Sequence, residues 1–490
     1  VTAENPERRV TLFWWGTIVL QAGLIILLGL EKYDLFTILS LVVIGIGAGI
    51  VLKQPVSGAI FLIPLSQPIR LQIIPGSAGI SFEYVVIPVI FVMYLLWKVE
   101  RLDFGITGKG LLLPGALLIF IAFVSLIISG GTIGYEKILP GVGTLYHLVL
   151  AGLLFVLIVE WINAEQKILQ IVFTLVVSSM VVGVGGLIEY FVSLPFAGYY
   201  YRISSFFGTF LQSGAGGNPN ALGAYLAITG LVGLSFRNDF RGTRRLCVYL
   251  SVLITLIALI LTASRSAWLG FFLGALYLAV RWDRKLLPFL IPVLVAAAAY
   301  LLTMPRLMER LFSIIEIVRE PNVLDVFSRI DHNKLDWDYI RNYGFAGYNI
   351  DIVAGALRVT SWIAGLEAFM HHLWIGVGLQ MNIYYYGFRT AENIFLDIAV
   401  MTGVFGLLVA GWMVVRILYM TRSIGKKGDS IHTGSLHPAI CAVLVCLLVV
   451  SLTGSVLFHM KLLFILSILF ACLQRRFSWI RVKPGQRSSS

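Results

Sequence analysis

The sequence predicts an all-α, polytopic integral membrane protein with about 12–14 transmembrane helices and one long outer loop that bears short helices. Three observations lead to this fold class. Of the 490 residues, 58% are hydrophobic and 13% are charged, against about 25% charged in a typical soluble protein. Apolar runs of about 20 residues, long enough to cross a bilayer as helices, recur along the chain. Basic residues cluster in the short segments between those runs, as the positive-inside rule requires.

The predicted spans follow one another through short connections. They lie near residues 10–30, 35–52, 55–70, 82–97, 111–129, 142–160, 168–193, 218–236, 246–263, 266–281, 286–303, 394–415, 436–455 and 459–474. The first is long, lacks a small-residue cleavage site and precedes Glu31, so we expect a retained helix rather than a signal peptide. The third contains Pro55, Pro64 and Pro68 and is the least regular, so a re-entrant or broken helix is the alternative there.

The charge distribution orients the chain and divides it. With the N-terminus inside, the basic clusters, including those around Arg241, Arg284 and Arg422, fall on the cytoplasmic side, and the C-terminus returns there. The predicted parts are N-terminal helices 1–193, central helices 194–303, a large outer loop 304–393, C-terminal helices 394–474 and a basic cytoplasmic tail 475–490.

Two broad classes of function are excluded by this pattern. The net charge of +12 is spread over loops that set membrane orientation, so it does not indicate nucleic-acid binding. The four cysteines fall in or beside apolar spans, with neither zinc-ligand spacing nor a disulfide framework, and are interpreted as packing residues (Cys247, Cys441, Cys446 and Cys472).

Four charged residues stand outside the cytoplasmic clusters: Arg202, Arg265, Arg358 and Glu392. Each is predicted at the outer end of a span or in the long loop, and charge at membrane level by default indicates function. Guanidinium groups bind phosphate oxygens bidentately, and a carboxylate can take a proton from a hydroxyl. The alternatives are arginines that snorkel to lipid headgroups, and a glutamate that favours a helix N-terminus through the helix dipole.

The long outer loop is the second place where function is expected, since loops beyond about 15 residues are usually functional. Its amphipathic runs Val323–Arg341 and Val359–His371 predict short helices on the membrane face. Trp337 and Tyr348 are candidate acceptor contacts, because aromatic faces beside carboxylates such as Asp336 suit sugar rings. An interfacial aromatic belt is the alternative.

Four sequence elements then occur in order. They are Arg202-Ile-Ser-Ser-Phe-Phe-Gly208 with Gly217-Asn218-Pro219-Asn220, Thr262-Ala-Ser264-Arg265-Ser266, Arg358-Val-Thr-Ser-Trp362 with His372 to Gly378, and Glu392-Asn393-Ile-Phe-Leu-Asp397 with Met401-Thr-Gly403-Val-Phe-Gly406. Their order, spacing and placement resemble the O-antigen ligase and polymerase family of bacterial envelope biosynthesis (Wzy/WaaL-like, GT-C-type) over roughly residues 180–415. Glu392 departs from ligases that act on lipopolysaccharide, which typically carry histidine there, and agrees with many polymerase-like members.

The resemblance implies an inverting, metal-independent glycosyltransferase that needs no cofactor. It would lie in the bacterial inner membrane with cytoplasmic termini and a periplasmic site, and would move a glycan from undecaprenyl diphosphate to a sugar hydroxyl. Arg202, Arg265 and Arg358 would bind the diphosphate and Glu392 would be the general base. Asn220 would be a donor contact or a structural residue. The implied partners are the lipid-linked donor, the glycan acceptor, membrane lipids and a chain-length regulator.

Several alternatives stay open at this stage. Asn218 is interpreted as a helix cap, and Gly376 and Gly378 as turn or packing glycines. A polysaccharide or lipid transporter or flippase would share the many helices, but it should bury ionisable groups near the bilayer midplane and show internal repeats, and neither is evident. A protein O-oligosaccharyltransferase would differ only in its acceptor.

Overall fold

The computed structural model describes residues 83–100, 109–197, 203, 218–288, 291–292, 295, 350–386, 390–426, 434–452, 454 and 459–481. The regular elements of this part are all helical, which confirms the predicted fold class. The α-helices are α1 Glu83–Glu100, α2 Lys109–Ile133, α3 Leu139–Trp161, α4 Glu165–Ala197, α5 Pro219–Phe236, α6 Gly242–Leu261, α7 Arg265–Arg281, α8 Ile350–His371, α9 Asn382–Tyr386, α10 Ile394–Lys426, α11 Leu436–Leu452 and α12 Met460–Arg481. Short 3-10 helices follow at Tyr135–Lys137 and Arg284–Leu286.

Seven of the described helices are long and apolar enough to cross a membrane, namely α2 to α6, α10 and α12. They coincide with predicted spans, although α10 continues to Lys426, beyond the predicted end near residue 415. The predicted spans before residue 82 lie outside the described residues, so the total number of spans stays a prediction.

Helix α5 forms the centre of the bundle. It packs against α4, α6, α7 and α11, and every residue from Ala221 to Phe236 is buried. Small residues dominate its first half, which lets neighbouring helices approach closely, as is usual where lipid removes most of the hydrophobic driving force between helices. The largest buried side chain, Tyr225, lies close to Ser178 of α4, with 3.3 Å between their hydroxyl oxygens.

Helix α10 is interrupted within its first third. Gly403 has φ 66° and ψ −165°, which breaks the helix, and a Cβ there would overlap the Trp374 carbonyl group. Since α10 has 33 residues, it would be about 50 Å long if straight, well beyond a bilayer core of about 30 Å. Residues 404–426 alone are long enough to cross, so the break separates a part that could span the bilayer from a short N-terminal part.

The chain that follows α8 enters this break and satisfies its backbone. Val377 N–H donates to Val400 O at 2.8 Å and Gly378 N–H donates to Met401 O at 3.1 Å, while Val404 N–H donates to Leu373 O at 2.7 Å. Non-helical backbone at membrane depth is stable only where protein groups replace the lost hydrogen bonds in this way.

Two glycines and two serines complete this crossing. Gly376 and Gly378 have φ values of 78° and 88°, and the backbone of residues 400–402 leaves no room for a Cβ at Gly376. From α2, Ser125 donates to Met401 O at 2.9 Å and Ser129 donates to Val377 O. The prediction that Gly376 and Gly378 are turn or packing glycines is confirmed. We refer to the joined segments 373–378 and 400–404 as the glycine crossing.

Ion pairs connect helix ends on the side predicted to be cytoplasmic. Lys98 Nζ lies 3.3 Å from Glu160 Oε2, joining the ends of α1 and α3. Arg476 pairs with Glu165, joining α12 to the start of α4, and Arg237 pairs with Asp283, joining the ends of α5 and α7. Part of the basic charge at these ends is therefore structural.

Candidate active site

The described residues bring two of the predicted site residues into direct contact. Arg358 of α8 donates from Nε to Oε2 of Glu392 at 2.5 Å. The side chains are 32% and 43% exposed, so both are accessible to a ligand. The Nε–H is one of five N–H donors on a guanidinium, and four others remain on its two terminal nitrogens.

Arg358 reaches Glu392 because of the face that α8 presents to α10. Ser361, Gly365 and Ala368 follow Arg358 at helical spacing and are buried. At Gly365 a Cβ would lie 2.9 Å from Leu396 Cδ2, so the missing side chain allows α8 to lie close to the start of α10. The other face of α8 is apolar and exposed (Ile363, Leu366 and Met370). The predicted short helix 359–371 is thus the second half of a longer helix that packs on α10.

Glu392 itself has an unusual backbone conformation. Its φ is 50°, in the left-handed region that non-glycine residues seldom adopt. Such a residue costs on the order of 1–3 kcal/mol and persists only where neighbouring contacts hold it, most often at functional sites. The conformation turns the chain between Ala391 and the start of α10, and it directs the carboxylate to Arg358.

Contacts on both sides hold this turn in place. Ala391 N–H, just before Glu392, donates to Oδ1 of the fully buried Asp397 at 2.7 Å. Asn393, just after it, caps α10 by accepting from Phe395 N–H at 3.1 Å and Leu396 N–H at 3.2 Å. Residues 391–393 are called the Glu392 turn below.

The turn between α6 and α7 carries Arg265 as the first residue of α7. Ala263 in this turn has φ 49°, a second strained non-glycine position. Ser264 Oγ donates to Asn220 Oδ1 at 3.1 Å, which joins the turn to the start of α5. Asn220 therefore has a structural contact, and it orients the residue that precedes Arg265.

Asn218 is the N-cap of α5, and its Oδ1 accepts from Asn220 N–H at 3.0 Å and from Ala221 N–H at 3.1 Å. Pro219 follows in the first turn, where the missing N–H costs nothing. The capping prediction for Asn218 is confirmed.

The first sequence element approaches the same turn. Ile203 is fully buried, and its N–H donates to Leu261 O at the end of α6 at 3.2 Å. Arg202 precedes it in sequence but lies outside the described residues. The position of Ile203 thus brings the first two sequence elements together at one turn.

Helix α11 connects the Arg265 turn with the Glu392 turn. Gly270 of α7 lies against Cys446 and Val450, and Gly274 lies against Ala442, so α7 and α11 run antiparallel. Arg265 precedes Gly270 by roughly one and a half helical turns, so it lies toward the C-terminal end of α11. At that same end Asn393 donates from Nδ2 to Leu452 O at 3.4 Å. Both turns therefore lie at one end of the helical bundle.

An apolar cavity of about 470 Å³ lies below the Glu392 turn, among α2, α3, α10 and α12. Ile394, two residues after Glu392, lines it together with Met401 of the glycine crossing and Leu379, which directly follows the crossing. From there it extends along α2 as far as Leu111. Small residues such as Gly152 of α3 leave the space between the helices open.

A comparison with protein families assigns this region. Residues 250–411 match a family model described as O-antigen ligase. Over these residues the chain is similar to the O-antigen ligase family, and they are called the O-antigen ligase segment below. The match begins within α6 and ends within α10, so it contains Arg265, Arg358, Glu392 and the whole glycine crossing. No curated protein matches the chain.

The O-antigen ligase segment and the apolar helices together give the coarse function. The protein is a multi-pass membrane protein with an O-antigen ligase or polymerase type of glycosyltransferase domain. Asn220 and Ile203 precede the matched residues, and they join the O-antigen ligase segment through the contacts at Ser264 and Leu261.

The predicted acceptor contacts Trp337 and Tyr348 lie outside the described residues, as does the predicted helix 323–341. Their roles stay predictions. The pairing of Arg358 with Glu392 was not foreseen, because Arg358 had been assigned to the diphosphate alone.

Two buried charges have no role in the sequence-based prediction. Asp397 in the first turn of α10 and Lys461 in the first turn of α12 are fully buried. A charged residue inside an apolar span is itself a signal of function. Each lies near a predicted span end, where an exposed headgroup contact is the ordinary explanation, so their burial is not evident from the sequence.

Proposed function

We propose that the protein transfers a glycan from undecaprenyl diphosphate to a sugar hydroxyl at the periplasmic face of the bacterial inner membrane, with inversion and without a metal. The observation that carries this proposal is the contact between Arg358 and Glu392 on a strained turn within the O-antigen ligase segment. A carboxylate held at a fixed angle, yet accessible, suits a general base.

In the proposed reaction, Glu392 accepts the proton of the acceptor hydroxyl. The hydroxyl oxygen forms a bond to the anomeric carbon on the face opposite the diphosphate, while the bond from that carbon to the phosphate oxygen breaks. The bonding electron pair leaves with undecaprenyl diphosphate, and the anomeric configuration inverts. No redox partner or nucleotide is consumed, because the lipid diphosphate is already an activated leaving group.

The arginines stabilise the charge that develops on the leaving group. Arg265 and Arg202 are assigned to the diphosphate, since a guanidinium offers bidentate, permanently charged donors to phosphate oxygens. Arg358 has a double role in this proposal. Its Nε–H orients Glu392, and its terminal N–H groups contact the donor phosphate as the reactants meet.

The apolar cavity supports a lipid-linked donor. It begins beside the Glu392 turn and continues along α2 to Leu111, with a largely apolar lining. A polyprenyl chain would bury apolar surface there while its diphosphate stays at the bundle end. This arrangement would place the anomeric carbon beside Glu392.

The test uses purified full-length protein, a lipid-linked oligosaccharide and an acceptor glycan, with products separated by size. Wild-type protein should form product, whereas Glu392→Gln should bind the donor normally and form none. A ladder of lengths would identify a polymerase and a single added block a ligase. Donor movement across the bilayer without a glycosidic product would support a flippase and overturn the proposal.

A further inference from the structure

Asp397 is a buried carboxylate for which the proposed reaction has no direct use. It is fully buried in the first turn of α10, in a segment where a neutral side chain would avoid the desolvation of a charge. A polar residue in such a place usually has a specific partner and a function.

Capping of α10 does not explain Asp397. The free N–H groups of the first turn are already capped by Asn393, whose Oδ1 accepts from Phe395 and Leu396. The N–H of Asp397 itself donates to Asn393 O at 2.8 Å. Its side chain instead points back past the start of the helix and accepts from Ala391 N–H at 2.7 Å.

The hydrogen bond from Ala391 to Asp397 matters because of where Ala391 lies. Ala391 is fully buried and directly precedes Glu392. The φ of Glu392 is 50°, a value that residues other than glycine rarely adopt, so contacts elsewhere must hold it. Asp397 fixes the peptide on one side of Glu392, and Asn393 fixes the chain on the other through Leu452 O of α11. The strained residue is therefore clamped at both ends, with only its carboxylate free to meet Arg358.

From this geometry we infer that Asp397 is a positioning residue: its hydrogen bond to Ala391 holds the Glu392 turn in the left-handed conformation that presents the general base. The effect of Asp397 on catalysis rests on the proposed function. Its effect on the conformation of the Glu392 turn rests on geometry alone. Asp397 does not touch substrate. It acts through the backbone next to Glu392.

The experiment compares wild type, Asp397→Ala and Asp397→Asn in lipid nanodiscs. Hydrogen–deuterium exchange resolved at the Ala391 amide reports the turn without any reaction. The transfer kcat and the donor KM report its catalytic consequence. Asn keeps an oxygen acceptor at the same place, whereas Ala removes it. Thr421→Ala is the matched control, because it deletes a buried hydrogen bond, from Thr421 Oγ to Ile417 O, near the other end of α10.

In Asp397→Ala we expect faster exchange at Ala391 and a kcat lower by about 100-fold with donor KM nearly unchanged, as for a misplaced catalytic group. Asp397→Asn should keep most of the protection and most of the rate, and Thr421→Ala should change neither. Wild-type protection of Ala391 in Asp397→Ala would overturn the inference. An equal loss of kcat in the Ala and Asn variants would overturn it too.

Two further results are separable. If wild-type protein forms no product, the proposed function fails, while the exchange at Ala391 still decides whether Asp397 holds the turn. If Asp397→Ala does not accumulate in membranes, Ala391→Pro removes the donor of the same hydrogen bond and leaves Asp397 intact. That variant should show the same fall in kcat, and a wild-type kcat would contradict the inference.

Discussion

Arg358 Nε and Glu392 Oε2 lie 2.5 Å apart, although 33 residues of chain, including the glycine crossing, separate the two side chains. The pair joins the middle of α8 to the turn that precedes α10. Because both side chains are partly exposed, the contact is worth little for folding, about 0–1 kcal/mol for an ion pair of this kind. Its value is expected in catalysis.

Arg358→Lys tests this distinction. Lysine keeps the charge but loses the planar fork that can engage a carboxylate and a phosphate together. We expect a large fall in kcat with a thermal midpoint close to that of wild type, measured by transfer assay and by unfolding in detergent. Arg416→Lys is a suitable control, since Arg416 stacks over Tyr419 on the predicted cytoplasmic side. A joint loss of activity and stability in Arg358→Lys would show that the pair is chiefly structural.

Gly403→Ala tests the glycine crossing. A methyl group there would overlap the Trp374 backbone and would require a left-handed conformation that alanine disfavours. We expect destabilisation by about 1–3 kcal/mol or more, as for other strained positions, and loss of transfer. Gly411→Ala on the same helix is the control, because no atom lies within 4 Å of a Cβ there, and alanine should stabilise that helical position by up to about 1 kcal/mol. Equal thermal midpoints for the two variants would contradict the proposed crossing.

Asn220→Ala and Ser264→Ala test how the Arg265 turn is held. Each variant removes one partner of the same hydrogen bond, which has a net value of about 1 kcal/mol, or roughly 5-fold in an equilibrium. We expect each variant to weaken donor binding by about that factor, and the double variant to be no weaker than either single one. Donor titration of the three variants measures this. Additive losses would mean that the two side chains act independently.

The stability of the protein should fall in mild acid because of His372. Burial, and next the charge of the neighbouring His371, lowers the pKa of His372 below its usual value. The unfolded chain therefore takes up this proton first as the pH falls, so the contribution of His372 to stability is lost below the ordinary histidine pKa of about 6.5. The thermal midpoint should drop between pH 8 and pH 5.5.

In His372→Phe, which keeps an aromatic ring opposite Tyr385, that drop should be smaller. His371→Phe removes only the second of the two causes, the neighbouring charge, so it should reduce the drop less than His372→Phe does. An unchanged pH dependence in His372→Phe would assign the effect to other groups.

Much of the fold could be predicted from hydropathy. Each described spanning helix coincides with an apolar run, because the bilayer demands about 20 apolar residues in a self-satisfied helix. The cap at Asn218 was also predictable, since capping depends on residues two and three positions away. The long loop was less predictable. Its second half forms α8, whose amphipathic pattern indicated a helix but not its partner.

The residues of the candidate site could be predicted from the sequence, but their distances and contacts could not. Arg265 and Glu392 were identified because charge at a span end is costly, and this reasoning needs only local sequence. The contact of Arg358 with Glu392 depends on Gly365, which lets two helices approach, and on the glycine crossing, which sets their register. Such contacts join residues that are distant in sequence, and no local pattern encodes their distance.

By itself, the sequence determined that the chain forms apolar helices. It also determined which charged residues lie outside the basic clusters that set the topology. Both follow from the free energy of moving residues from water to lipid. Only the tertiary structure decided that Asp397 serves the Ala391 peptide, that Glu392 adopts a left-handed backbone, and that Arg358 is its partner. These are matters of packing and of hydrogen-bond geometry, where differences of less than 1 Å between helices from separate parts of the chain determine which groups meet.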